Sequence, residues 1–201
     1  MIFIYGDSHG DHCFKRLEPA IQIKNLYEMS ITMFRVGRDN KILNFNKSDV
    51  DMNDTVILSY GEIDCRCHIQ RQINTGRNED DVITELVDNY FRTIQNNLSN
   101  NKIIIVGVIP PTKQSDYEKL NGPITHEYPF VGTDQDRVRY TNKVNRLIDD
   151  RCAISGYIYF NPFDYYTRPD GTLKYEFSDS TVHLGNNTVF LEKFIEMYNS
   201  L

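Results

Sequence analysis

The feature that most constrains the fold of this chain is a series of short apolar runs that alternate with segments of helical periodicity. The longest run, Lys102-Ile-Ile-Ile-Val-Gly-Val-Ile109, has no polar side chain after its first residue. Such a run is typical of a strand that is buried on both faces, as in a parallel sheet. Alternating strands and helices predict a parallel sheet with helices on both faces. At 201 residues, we therefore predict one domain, a three-layer α/β/α sandwich around a flavodoxin-like, five-stranded parallel sheet.

The individual elements follow from the same patterns. Apolar, β-rich runs predict strands at residues 2–5, 31–36, 55–60, 102–109 and 156–160. Apolar residues at helical spacing predict helices at residues 14–29, 80–98, 134–152 and from about 186 onward. Residues 111–133 are expected to form a long excursion at the sheet edge, and residues 163–177 a hairpin that turns at Arg168-Pro-Asp-Gly171.

Composition and charge disfavour several classes of partner. The net charge is -6 and the Lys and Arg residues are scattered, which disfavours a nucleic-acid role, because phosphate binding relies on clustered cations. No apolar run approaches the roughly 20 residues of a membrane span, so no membrane partner is expected. The chain also begins without the pattern of a signal peptide, which predicts a cytoplasmic protein.

The first twelve residues, Met1-Ile-Phe-Ile-Tyr-Gly-Asp-Ser-His-Gly-Asp-His12, form the most informative stretch. An apolar strand stops at Gly6, and Ser8 follows at the apex of a polar turn between Asp7 and His9. The strand therefore delivers these side chains to the carboxyl edge of the sheet, where ligands bind in open α/β folds. A helix cap alone would explain the serine, but a strand-to-helix turn built around a serine is also a known catalytic device.

Other predicted strands bring further polar residues to the same edge. They are Glu62, Asp64 and Arg66, and then Asp179 and His183 in a late polar loop. Gly37, after the second predicted strand, brings its backbone N–H group to the same edge. A hydroxyl group is a poor nucleophile until a base takes its proton, and the base works best when a third group holds it. Ser8, His183 and Asp179 supply the residue types for these three roles.

In order and spacing, these motifs resemble the SGNH (GDSL-type) hydrolase superfamily across the whole chain. Gly6-Asp7-Ser8-His9 matches its first block, and Gly37 fits the glycine of the second. Gly61-Glu-Ile-Asp64 lies where the third block, Gly-x-Asn-Asp, is expected, and Asp179 to His183 stands for the final Asp-x-x-His. The resemblance implies that Ser8 is the nucleophile and His183 the base, with Asp179 orienting it.

Two departures from the family pattern bear on the mechanism. Ile63 occupies the position of the Asn that donates to the oxyanion, and losing one such donor typically costs about 100- to 1000-fold in rate. Arg66, together with the backbone N–H groups of Ser8 and Gly37, is the expected substitute. The final block is also one residue too long, so that Ser180 occupies the spacing expected for the aspartate. Either Asp179 still reaches His183, or the serine–histidine pair lacks its third member.

The resulting prediction is a serine esterase or acyl-transfer enzyme that acts on an O-acylated carbohydrate or a small ester. Asp7, His9, Glu62, Asp64 and Arg66 are expected to contact the substrate or the oxyanion, and neither a metal nor a cofactor is expected. Two alternatives keep the fold: a glycan-modifying acetyl- or methyltransferase, and a sugar-binding protein without turnover.

A degenerate calcineurin-like metallophosphoesterase is a third alternative. Gly6-Asp7-Ser8-His9-Gly10 also fits the Gly-Asp-x-His-Gly motif of that family. Its later motifs, Gly-Asn-His-Glu and Gly-His-x-His, do not follow in the sequence. A two-metal site would therefore lack several of its ligands.

Overall fold

The computed structural model describes residues 1–17, 21–39, 50–98, 101–125 and 128–201. Five strands form one sheet: β1 (Ile2–Gly6), β2 (Ile23–Asn25), β3 (Thr55–Ser59), β4 (Lys102–Val106) and β5 (Ile158–Phe160). All neighbouring pairs are parallel, and the strand order is β2-β1-β3-β4-β5. This order is the flavodoxin-like one, and it confirms the predicted fold class.

Helices cover both faces of the sheet. The helices are α1 (Ser8–Phe14), α2 (Met33–Asp39), α3 (Ile69–Ile73), α4 (Glu79–Asn97), α5 (Gln114–Asn121), α6 (Asp134–Ser155) and α7 (Thr188–Asn199). Helices α2, α4 and α6 share one apolar core with one face of the sheet, while α1 and α7 share a second core with the other face. The predicted three-layer sandwich is therefore observed. Among the residues that the structure describes, no helix has the length and apolar character needed to cross a membrane.

The two cores follow from the alternation of side chains along each strand. In β1, Phe3 and Tyr5 belong to the first core, whereas Ile2 and Ile4 belong to the second. Because successive side chains of a strand point to opposite faces, a continuous apolar run fills both cores at once. This is why the central strands lack the polar and apolar alternation of a half-exposed sheet.

The first predicted helix, residues 14–29, is wrong. Helix α1 begins earlier, at Ser8, because the Asp7 side chain accepts hydrogen bonds from two N–H groups of its first turn. It ends at Phe14, and the backbone of Arg16 takes a left-handed φ of 72°, which a continuing helix does not allow. The chain then supplies the edge strand β2, which pairs with β1 from Ile2 opposite Ile23.

The predicted strand at residues 31–36 is also wrong, because α2 begins at Met33. The carboxylate of Asp64 accepts hydrogen bonds from the backbone N–H groups of Met33 (2.7 Å) and Phe34 (3.2 Å). The start of α2 is thus capped by a residue distant in the chain, and a short apolar run cannot reveal such a cap.

The later elements lie close to their predicted positions. Helices α4, α6 and α7 and strands β3, β4 and β5 match within a few residues at each end. The long excursion contains α5. In the predicted hairpin, a single bridge joins Thr167 to Leu173 between two 3-10 turns, Phe163–Tyr166 and Tyr175–Phe177.

Candidate active site

Ser8 is the first residue of α1, directly after β1 at the carboxyl edge of the sheet. The strand order reverses beside β1, between β2 on one side and β3 on the other, and in open α/β sheets a crevice forms at such a switch point. Gly10 lets α1 pass close to β3, because a Cβ atom at Gly10 would lie 3.0 Å from the Cβ atom of Ser59. This close passage holds Ser8 at the edge, part exposed.

Ser8 and His183 lie within hydrogen-bonding distance although they are nearly the whole chain apart. The distance from Ser8 Oγ to His183 Nε2 is 2.9 Å, which is the reach required between a hydroxyl nucleophile and its base. On the other side of the imidazole ring, Asp179 Oδ2 lies 3.3 Å from His183 Nδ1. The extra residue in the last motif therefore does not prevent Asp179 from reaching His183.

The loop from Asp179 to His183 explains how the longer spacing is accommodated. Ser180 takes a left-handed φ of 71°, and the Asp179 N–H donates to the His183 carbonyl at 3.0 Å. The chain therefore closes into a tight turn whose two ends face each other. Sequence spacing alone does not reveal this turn, because a left-handed serine is uncommon.

Thr181, which the sequence analysis does not identify, contributes to the same network. Its hydroxyl donates to Asp179 Oδ1 at 2.5 Å, and its oxygen lies 3.0 Å from His183 Nδ1. Since its single proton is directed to Asp179, the oxygen can accept the Nδ1–H of His183, which leaves Nε2 as the acceptor for Ser8. Partial burial raises the pKa of Asp179, but hydrogen bonds from His183 and Thr181 outweigh it and hold that pKa well below its usual range.

Behind Ser8, His9 begins a buried chain of charges. His9 Nε2 lies 2.8 Å from Glu62 Oε2, and Arg66 Nε donates to Glu62 Oε1 at 2.8 Å. Burial opposes ionisation, yet the adjacent Arg66 and His9 keep the pKa of Glu62 well below its usual range. Burial likewise lowers the pKa of His9, but Glu62 outweighs it and the net shift is upward. The ring centroids of His9 and His183 are 4.6 Å apart. The buried charged group of His9, Glu62 and Arg66 therefore packs against the histidine that faces Ser8.

Arg66 is buried, and its guanidinium is held by contacts within the protein. Besides Glu62, its guanidinium donates to the carbonyl of Tyr128 and lies against the ring of Phe130. The Arg66 carbonyl in turn accepts from the N–H of Val131 at 3.1 Å. These contacts fix the 128–131 segment onto the π-helical turn Asp64–His68.

Three other predicted site residues stabilise the scaffold around the site. The Asp7 carboxylate accepts from the N–H groups of His9 and Gly10, and Asp64 caps α2. Both are fully buried, and burial raises the pKa of Asp64 to about 7. Gly37 lies within α2, where a Cβ atom would be only 2.9 Å from the Cβ atom of Asn89 in α4. A glycine is therefore needed at position 37, because α2 and α4 pack closely there.

The structure also brings His12, from α1, against His183. Its ring stacks on that of His183, with centroids 4.4 Å apart and an interplanar angle of 15°. Its Nδ1 atom lies 3.7 Å from Asp179 Oδ2. His12 follows Ser8 by four positions, so both lie on one face of α1, and this spacing was the available signal. A cavity of about 110 Å³ lined by His12, Asp179 and Asn187 opens beside them.

No protein-family model and no curated protein matches the chain, but solved structures do. A GDSL-like lipase from Bacteroides thetaiotaomicron superimposes with a TM-score of 0.64 at 14% identity, over 100% of this chain and 88% of that chain. An aryl esterase from M. smegmatis gives 0.55 at 15% identity, over 100% and 98%. A carbohydrate acetylesterase from Sinorhizobium meliloti gives 0.52 at 12% identity, over 100% and 99%. The chain therefore has the fold of the GDSL-type (SGNH) lipases and esterases.

Proposed function

We propose that this protein is a serine esterase of the SGNH type. The observation that carries the proposal is the contact of 2.9 Å between Ser8 Oγ and His183 Nε2, with Asp179 on the opposite ring nitrogen at 3.3 Å. A surface serine and histidine have no structural need to meet across the chain, whereas a nucleophile, a base and an orienting carboxylate must do so. The fold shared with lipases and esterases supports the same conclusion.

The geometry supports one catalytic role for each of the three residues. His183 Nε2 takes the proton of Ser8 as Oγ attacks the ester carbonyl, and the imidazolium that forms is stabilised by Asp179. The leaving alcohol then takes this proton from His183, which leaves an acyl group on Ser8. In the second half of the reaction, water gives its proton to His183 and attacks the acyl carbon, and Ser8 recovers its hydrogen as it leaves.

Three groups were predicted to donate to the oxyanion: the side chain of Arg66 and the backbone N–H groups of Gly37 and Ser8. Arg66 is engaged by Glu62 and by the carbonyl of Tyr128, and Gly37 lies inside α2. The backbone N–H of Ser8 is the remaining predicted donor. As the first residue of α1, Ser8 has an N–H group without an acceptor inside the helix.

The substrate that we propose is a small O-acyl ester, such as an acylated sugar. Two observations support a polar acyl acceptor. The cavity that Asp179 lines also carries the polar side chains of His12, Lys15 and Arg16, and one structure with the same fold is named as a carbohydrate acetylesterase. The phosphoesterase alternative receives less support, because two side chains that would have to bind its metals are already engaged. The Asp7 carboxylate accepts a hydrogen bond at the start of α1, and His9 Nε2 contacts Glu62.

Hydrolysis of p-nitrophenyl acetate and of a peracetylated monosaccharide tests the proposal. We expect turnover by the wild type and a loss of at least about 1000-fold in kcat/KM for Ser8→Ala, since removing a serine nucleophile removes the covalent route. Ser200→Ala, near the carboxyl terminus, is the matched control and retains activity. A Ser8→Ala variant with wild-type hydrolysis would refute the proposal. Turnover that requires an added sugar acceptor would instead favour the transferase.

A further inference from the structure

We infer that His12, Asp179 and His183 form a binding site for a divalent transition-metal ion of the Zn²⁺ class, and that occupation of this site switches the esterase off. The binding part stands on the three side chains alone, and the inhibition part rests on the proposed function. Each residue can offer one ligand atom, and these three atoms lie within 4.8 Å of one another.

The distances between the side chains suit a tetrahedral ion. Nitrogen and oxygen ligands about 2.0–2.2 Å from zinc lie roughly 3.4 Å from one another in a tetrahedron. Asp179 Oδ2 lies 3.3 Å from His183 Nδ1 and 3.7 Å from His12 Nδ1. Two of the three ligand separations are therefore already close to those of a bound ion. The two rings must tilt from their interplanar angle of 15° so that both lone pairs point to the metal.

The surroundings provide access and a fourth ligand. His12 and Asp179 are each about a quarter exposed, at 26% and 25%, and both line the cavity of about 110 Å³. A cavity of this size is large enough for water, so a solvent molecule can complete the coordination. Lys15 and Arg16 line the same cavity, but both are exposed and solvent screens their charge.

Metal binding would prevent catalysis through the tautomer of His183. Without a metal ion, the contacts of Nδ1 with Asp179 and Thr181 favour the tautomer in which Nδ1 carries the hydrogen and Nε2 accepts from Ser8. A metal ion that takes the lone pair of Nδ1 forces the hydrogen of the neutral ring onto Nε2. The ring then presents a donor to Ser8 Oγ and can no longer take its proton. The ion also binds Asp179, which can then no longer orient His183. Metal binding therefore disables both the base and the residue that orients it.

Two measurements on the same proteins test the site. ZnCl₂ is titrated by calorimetry into the metal-free wild type, His12→Gln and the matched control His68→Gln, whose native ring lies against Phe34 and Tyr128. The rate at which a fluorophosphonate probe labels Ser8 is followed at the same zinc concentrations. We expect one ion per chain in the wild type and His68→Gln, and labelling that falls as the site fills. In His12→Gln we expect binding at least about 100-fold weaker, since even losing an outer partner of a metal ligand costs 10- to 100-fold.

The outcomes separate the two proposals. Zinc that fails to bind the wild type, or that binds His12→Gln equally well, would overturn the metal site whatever the activity. Zinc that binds through His12 without slowing the labelling of Ser8 would overturn the switch. A protein whose Ser8 is never labelled, yet which binds zinc through His12, would keep the metal site and refute the esterase.

Discussion

Replacing Asp179 by asparagine tests whether the longer final motif still provides a functional third residue. The substitution keeps the size of the side chain, and the amide oxygen can still accept from the Thr181 N–H, which Asp179 Oδ1 now does at 2.9 Å. The turn that carries His183 is therefore retained. The change removes the negative charge that faces His183 Nδ1 at 3.3 Å.

The expected size of the effect follows from the contacts of that carboxylate. A hydrogen bond to a charged group contributes about 1.5–3 kcal/mol, and each 1.36 kcal/mol changes a rate tenfold. The predicted loss in kcat is therefore about 10- to 150-fold. A fully buried orienting aspartate costs about 10,000-fold when it is changed in this way. The effect is smaller here because Asp179 is 25% exposed and Thr181 Oγ1 shares His183 Nδ1 at 3.0 Å.

The assay is steady-state hydrolysis of p-nitrophenyl acetate by the wild type, Asp179→Asn and Asp170→Asn. Asp170 is a suitable control because it makes the same kind of local turn, with hydrogen bonds from the backbone and hydroxyl of Thr172, and its side chain is 47% exposed. It should retain full activity. A loss of less than twofold in Asp179→Asn would show that the serine–histidine pair works without a third member, and our account of the 179–183 turn would be refuted.

Three further predictions concern the scaffold of the site. Glu62→Gln should destabilise the fold by about 3–5 kcal/mol in urea unfolding, because it leaves buried cations without their counter-charge. Gly37→Ala should cost about 1–3 kcal/mol, since the new methyl group would lie 2.9 Å from the Cβ atom of Asn89. For Asp64, burial raises the pKa from 3.8 to about 7, so the folded state binds more protons than the unfolded state between these values. The free energy of unfolding should therefore fall as pH rises through that window, by up to about 1.4 kcal/mol per pH unit from Asp64, and Asp64→Asn should reduce this slope.

Each of these predictions has a control or a contradicting result. Glu85→Gln removes a carboxylate that is 51% exposed and should change stability by less than about 0.5 kcal/mol. Equal effects of Glu62→Gln and Glu85→Gln would contradict the buried chain of charges. A Gly37→Ala variant as stable as the wild type would contradict the packing role of that glycine. A pH slope of unchanged size in Asp64→Asn would assign the titration to another group.

The architecture could be predicted because its strongest signals are local. Buried strands leave continuous apolar runs, and helices α4 and α6 leave long apolar repeats, so most of the elements were predicted close to their observed bounds. The secondary structure of the early part of the chain could not be predicted correctly, because the contacts that determine it are tertiary. The start of α2 depends on a carboxylate from Asp64, and the edge strand β2 is only three residues long.

The site shows the same division. Ser8, His183 and Asp179 could be predicted because they lie in short sequence motifs, and the structure brings the three together. Arg66 was predicted at the oxyanion, yet its spacing of four residues from Glu62 was a signal for the ion pair that is observed. The role of Thr181 depends on a left-handed turn, and that of His12 depends on a ring stack. The turn leaves no trace in the sequence, whereas the four-residue spacing of Ser8 and His12 is a signal that they share a helix face.

The most direct measurement of the central claim is the identity of the residue that carries the acyl group during turnover. The wild type and His183→Ala would be mixed with p-nitrophenyl acetate, quenched in acid within the first turnovers, and mapped by peptide mass spectrometry. We predict an acetyl group on Ser8 in the wild type and its loss in His183→Ala. Turnover with no acetyl group on Ser8, or with equal acetylation in His183→Ala, would contradict the assignment of Ser8 and His183 as nucleophile and base.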